Sequence, residues 1–110
     1  MSDGDPGDQT WEALVSAMLT LGPVHERRSR YVDKPALYVH SREVAHREGL
    51  GLIDLRLTAA GWGKVKAIFV GDEAIERTPT RRDWVALRIQ SPADVERLRP
   101  LLSAAVEGNR

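Results

Sequence analysis

PALYVHSREVAHREGLGLIDLRLT, residues 35–58, consists of three short apolar runs separated by turn-like residues, which is the pattern of an antiparallel meander. Leu37 and Val39 alternate with Ala36, Tyr38 and His40, and Val44 and His46 with Glu43 and Ala45. In the last run Ile53, Leu55 and Leu57 alternate with Asp54, Arg56 and Thr58. A period of two places such residues on opposite faces of a sheet. Ser41-Arg42 and Gly49-Leu50-Gly51 supply the two turns, the second with the backbone freedom that positive φ angles need.

Upstream of the meander, VHERRSRY (24–31) is dominated by charge, which suits an exposed edge strand and guards it against pairing with another chain. Before it, Trp11, Leu14, Val15 and Met18 recur at helical spacing, with Thr10 placed to cap the helix and Gly22-Pro23 to end it. Residues 1–9 are acidic and rich in Gly, and read as a flexible tail preceding a single domain over 10–107.

Downstream, Thr58 is placed to cap a second helix with Trp62, Val65 and Phe69 on one stripe, although Gly61 and Gly63 each weaken it by about 1 kcal/mol relative to Ala. Tertiary packing must hold it. Residues 75–78 and 84–89 read as two more strands around a turn at 80–83. Ser91-Pro92 then starts a helix whose stripe is Val95, Leu98, Leu102 and Val106. Pro100 interrupts this stripe at a cost of about 3 kcal/mol in a straight helix, so a kink or break is expected near Arg97. The order of helix, strand meander, helix, two strands, helix predicts an α+β two-layer sandwich, its antiparallel sheet carrying helices on one face.

Composition narrows the function classes less than it narrows the fold. At 110 residues the chain is one domain by length. Sixteen basic residues balance sixteen acidic ones, and without Asp3, Asp5 and Asp8 the rest carries a formal +3, too mild to mark a nucleic-acid binder by charge alone. The absence of cysteine excludes disulfides and thiolate chemistry and fits a cytoplasmic protein. No run of residues is long and apolar enough to suggest a membrane span. P-loop, GxGxxG, GxSxG and HExxH motifs are all missing, which removes the commonest nucleotide-binding and hydrolase signatures.

The succession REVAH (42–46), IDLRLT (53–58), a helix, DWVALRI (83–89) and SPADVERL (91–98) resembles the luciferase-like domain family of small bacterial proteins. That family's blocks are a Gly-Arg-Glu-hydrophobic-Gly/Ala-His hairpin, a Leu-Asp strand, a Trp-Val strand and a Ser-x-x-Asp-Val helix. The resemblance implies a small α+β domain and carries no catalytic residue set, so it implies a ligand- or protein-binding module and no cofactor. His40-Ser41 stands where the family has a glycine turn. The order of elements is also similar to the MmcQ/YjbR proteins of frataxin-like fold, and that likeness implies a double-wing DNA-binding arrangement as the alternative.

Three sets of residues are candidates for chemistry. His40, His46 and Asp54 lie in neighbouring expected strands, where two imidazoles and a carboxylate would suit a metal or a base with its orienter, but only if the register puts them on one face. A structural role is the simpler expectation for each, with Asp54 pairing Arg42 or Arg56, and no metal site is assigned. Arg27, Arg28 and Arg30, with Arg81 and Arg82, form two basic clusters suited to phosphates, although Glu26, Asp33 and Asp83 among them weaken the field. Trp11, Trp62 and Trp84 fall on helical stripes or strand alternation and are expected in the core. The expected partners are a small ligand or a protein, with room left for a homodimer or a nucleic acid.

Overall fold

The computed structural model describes residues 6–78 and 80–110. Among them the order is α1 (Pro6–Leu19), β1 (Val24–Arg28), β2 (Pro35–Val39), β3 (Arg42–Gly49), β4 (Leu52–Arg56), α2 (Ala59–Phe69), β5 (Ile75–Arg77), β6 (Trp84–Arg88), α3 (Pro92–Arg97) and α4 (Arg99–Gly108). The strands form one antiparallel sheet in the order β1-β2-β3-β4-β6-β5, with the helices gathered on one face. This is the α+β two-layer sandwich that the apolar pattern predicts. No helix among the described residues is long and apolar enough to cross a membrane.

The core lies between the sheet and the helices. Leu37, Val39, Ile53, Leu55, Val85 and Leu87 project from the strands against Leu14 and Met18 of α1, Val65 and Phe69 of α2, and Val95, Leu101 and Leu102 of α3 and α4. Thr58 caps α2 as expected, its Oγ1 accepting from the Gly61 N–H at 2.9 Å. The cap holds Thr58 at φ 69, an uncommon angle for a β-branched residue. Pro100 has the expected effect: α3 stops at Arg97, Leu98 sits at φ −89, ψ 4, and α4 restarts with the proline in its first turn.

Two local expectations change. The first helix begins at Pro6, so Thr10 is a buried interior residue and not its cap, and residues 1–5 of the expected tail lie outside the described residues. The second change positions the site. Leu37 pairs with Ala45 and Tyr38 with Glu43, so one extra residue is accommodated in β3 and the alternation across Val44-Ala45 is broken. Val44 and Ala45 both enter the core, and Glu43 and His46, three residues apart, come to share the opposite face. Strict alternation would have separated them.

Candidate functional site on the open sheet face

On the face away from the helices, register brings Ala36, His46, Asp54 and Ala86 into one row across β2, β3, β4 and β6. A hollow opens above the polar pair. Its walls come from elsewhere: Tyr31 and Val32 from the loop between β1 and β2, Arg81 from the turn before β6, and Trp84 from the start of β6. With Glu48 at its mouth, the concavity encloses about 610 Å³. The rings of Tyr31, Trp84 and His46 stand 5.5–5.9 Å apart, centroid to centroid.

His46 is the centre of a charge network. Its Nδ1 lies 2.8 Å from Glu43 Oε2, and its Nε2 lies 2.6 Å from Glu48 Oε2 and 3.3 Å from Asp54 Oδ2. Asp54 Oδ2 also accepts from Arg81 Nη2 at 3.0 Å, while that guanidinium rests 5.7 Å from the Trp84 ring centroid. Glu43 is the deepest member. Ser29 Oγ donates to its Oε2 at 2.6 Å and the Arg30 N–H to its Oε1 at 2.7 Å, and the Tyr38 hydroxyl lies 3.0 Å from the same Oε1. Ser29 Oγ in turn accepts from the N–H groups of Tyr31 and Val32, so one serine ties the loop that carries Tyr31 to the carboxylate that orients His46.

The network sets its own protonation. Burial opposes an imidazolium at His46, but Asp54 and Glu48 outweigh it through hydrogen bonds and charge, and the pKa is raised above the usual histidine value. Burial also opposes charge on Glu43 and Asp54. Hydrogen bonds from Ser29, Arg30 and Tyr38 hold Glu43 below the usual carboxylate range, and His46 and Arg81 do the same for Asp54.

These shifts fix the pH dependence of stability. A raised histidine pKa contributes stability that is complete below the unfolded value of about 6.5 and is lost as pH climbs through the folded value. The lowered carboxylates contribute stability that is present above about 4 and lost as pH falls through their folded values. Urea midpoints should therefore be highest between about pH 4.5 and 6.5 and decline on both sides. His46→Gln should flatten the alkaline limb. A wild-type midpoint that rises from neutral to mildly alkaline pH would contradict this account.

Of the candidates from sequence, His46 and Asp54 converge and His40 does not. His40 is exposed at the tip of the β2-β3 hairpin with φ 57, where it supplies a turn conformation and takes no part in the cluster. Asp54 pairs with Arg81 and His46 instead of with Arg42 or Arg56; Arg56 binds Asp83 and Asn109. Trp11 is buried as expected and Trp62 is half-buried against the core, whereas Trp84 leaves the core for the open face and becomes a wall of the site. Arg81 belongs to the site, and Arg30 lies over the Tyr38 ring at 5.5 Å. Arg27 and Arg28 lie on edge strand β1, Arg28 paired with Asp33, and Arg82 is exposed beside Arg81.

Glu43 and Glu48 are site residues that no motif in the sequence marks. Glu48 stands two residues from His46, the spacing of one sheet face, although it falls at a second irregularity of the pairing, between Arg47 and Gly49. Glu43 was hidden by the irregular pairing, whose one trace in sequence is the adjacent apolar pair Val44-Ala45 inside an otherwise charged strand. Among the described residues, His46, Glu48 and Asp54 form the one group suited to hold a metal ion, with ligand atoms within 4.8 Å of one another. No protein-family model, no curated protein and no solved structure matches the chain.

Proposed function

We propose that this chain is a small binding domain of the luciferase-like kind whose open sheet face receives a divalent transition-metal ion on His46 Nε2, Glu48 and Asp54. The observation that carries the reading is the imidazole itself: buried, oriented through Nδ1 by a carboxylate, and presenting Nε2 to two further carboxylates at the floor of an aromatic-walled hollow. A carboxylate on the far nitrogen of a ligating histidine fixes the ring and raises its basicity. One nitrogen and two oxygen donors suit Zn²⁺, Mn²⁺ or Fe²⁺ better than Ca²⁺ or Mg²⁺. The metal replaces the proton on Nε2, and Arg81 must swing away from Asp54 to relieve repulsion. Its side chain is 44% exposed, which gives it the freedom to do so.

Binding and protonation compete for one nitrogen, so affinity should fall as pH is lowered. Titrating Mn²⁺ into labelled protein at mildly alkaline pH should broaden the amide signals around His46, Glu48 and Asp54 and raise Tm. Both effects should weaken at acidic pH, disappear in His46→Gln and persist in His40→Gln. Uniform broadening, or none, would remove the metal reading. A second reading, acid–base catalysis by His46 with Asp54, is favoured by the same Glu43 contact, since an orienting carboxylate is what a general acid requires.

A further inference from the structure

Beside the acidic hollow, the open face carries a second concavity of about 340 Å³ with the opposite character, lined by Arg30, Tyr31, Ser41, Arg42, Glu43 and Arg56. Three arginines line it and one carboxylate. That carboxylate is spent: Oε1 of Glu43 faces the Arg30 N–H and the Tyr38 hydroxyl, Oε2 faces Ser29 Oγ and His46 Nδ1, and the side chain is 1% exposed. Its oxygens are turned to these groups, and neither makes a salt bridge with the three guanidinium groups.

Two of the three are held in place by contacts that leave donors free. Arg56 is pinned through Nη1 to Asn109 Oδ1 at 2.5 Å and through Nη2 to Asp83 at 3.3 Å, which offsets part of its charge. Arg30 stands over the Tyr38 ring. Arg42 is exposed at the start of β3, next to Ser41 on the hairpin turn, and among the described residues no carboxylate forms a salt bridge with its guanidinium or with that of Arg30. A planar guanidinium presents a fork of donors that matches the oxygens of a phosphoryl group.

We infer that this concavity is an anion subsite that binds the phosphate group of a small phosphorylated ligand through Arg30, Arg42 and Arg56, with Ser41 as a further donor. At about 340 Å³ it has room for a phosphoryl group together with part of the molecule that carries it. Tyr31 lines both hollows, so a ligand anchored by its phosphate runs along that ring towards His46. The phosphate subsite stands without the metal; only the direction of the ligand's remainder rests on the reading of the His46 hollow given above. A nucleic-acid backbone offers the same phosphate chemistry, but Asp33 paired with Arg28 and Asp83 paired with Arg56 interrupt the continuous basic surface that such a backbone needs.

The test is amide NMR in metal-free buffer at constant ionic strength, with inorganic phosphate, phenyl phosphate and a mixed-sequence DNA duplex as separate probes. Inorganic phosphate is expected to shift Arg30, Ser41 and Arg42. Phenyl phosphate should shift the same residues and extend to Tyr31 and Trp84. Arg42→Gln, at an exposed position that should not disturb folding, should weaken both by about tenfold, the loss of one charge-assisted hydrogen bond. Because the buffer holds no metal, a response to inorganic phosphate does not depend on the metal site, which separates failure of this subsite from failure of that one. Phosphate shifts that are absent, or indifferent to Arg42→Gln, would overturn the assignment. So would a salt-sensitive response to the duplex at Arg27, Arg28, Arg81 and Arg82 with none to phosphate, which would establish a nucleic-acid surface instead.

Discussion

Replacing Glu43 with alanine is expected to lower the unfolding free energy by about 3–5 kcal/mol, the range for removing one member of a buried ion pair. The carboxylate sits under the sheet's open face with four donors around it, and alanine takes this acceptor from Ser29 Oγ, the Arg30 N–H and His46 Nδ1, while the Tyr38 hydroxyl keeps the Arg28 carbonyl at 2.9 Å. His46, whose own exposure is 3%, would lose the partner of its Nδ1. The loop at 29–34 would lose its anchor, and with it the placement of Tyr31. Glu43→Gln separates the electrostatic part from the rest. The amide keeps the volume and one accepting oxygen, so the loss should fall to about 1–3 kcal/mol, the cost of an imperfectly satisfied buried group. The His46 pKa, followed by NMR, should drop because an anion has gone from beside the ring. Urea denaturation of the two variants measures both steps. A Glu43→Ala protein as stable as the wild type would mean that the network is solvated and carries no site.

That variant also bears on why the cluster exists. Charged groups on the open face, with Glu43, His46 and Asp54 all buried, are a poor way to stabilise a domain of this size, because apolar residues of equal volume would stabilise it as well or better. Local rules of sheet construction are broken here and largely obeyed on the helix side, where Leu37, Val39, Ile53, Leu55, Val85 and Leu87 alternate as a half-buried sheet requires. A departure confined to one face, above a concavity walled by Tyr31 and Trp84, is the pattern of a binding surface.

The same contrast explains what the sequence discloses. Period-two alternation in 53–57 and 85–89 names both strands and the face each buries, because burial acts on every second residue and leaves a regular trace. The break between α3 and α4 is legible because proline removes a donor and a ring must be accommodated. The site is less legible. His46 and Asp54 are visible as residue types, but their meeting depends on register, which no single run of sequence contains. Glu43 joins them only through the extra residue near Val44. Tyr31 and Arg81 arrive on loops, where position follows from the tertiary fold and not from a repeating pattern.

The turn that sets this register supplies the other large effect. Gly51 closes the β3-β4 hairpin at φ +67, and a Cβ built there would stand 2.5 Å from the backbone oxygen of Ile89. That oxygen cannot move cheaply, because Ile89 is buried and its N–H is bonded back to the Gly51 carbonyl at 2.8 Å. Gly51→Ala should therefore combine left-handed backbone strain of about 1–2 kcal/mol with an overpacking cost of about 1–3 kcal/mol. The sum approaches the whole stability of a marginal domain. Gly49, two residues earlier in the same turn, has no such constraint: its φ is ordinary and an added Cβ would meet only Leu52 Cδ1, at 3.8 Å. Gly49→Ala should change stability by less than about 1 kcal/mol. Thermal unfolding of the pair tests the register, since both glycines sit in one turn and only one of them holds β4, and with it Asp54, opposite His46. Equal tolerance of the two substitutions would mean that the turn does not fix the pairing, and the convergence of His46, Glu48 and Asp54 would lose its structural cause.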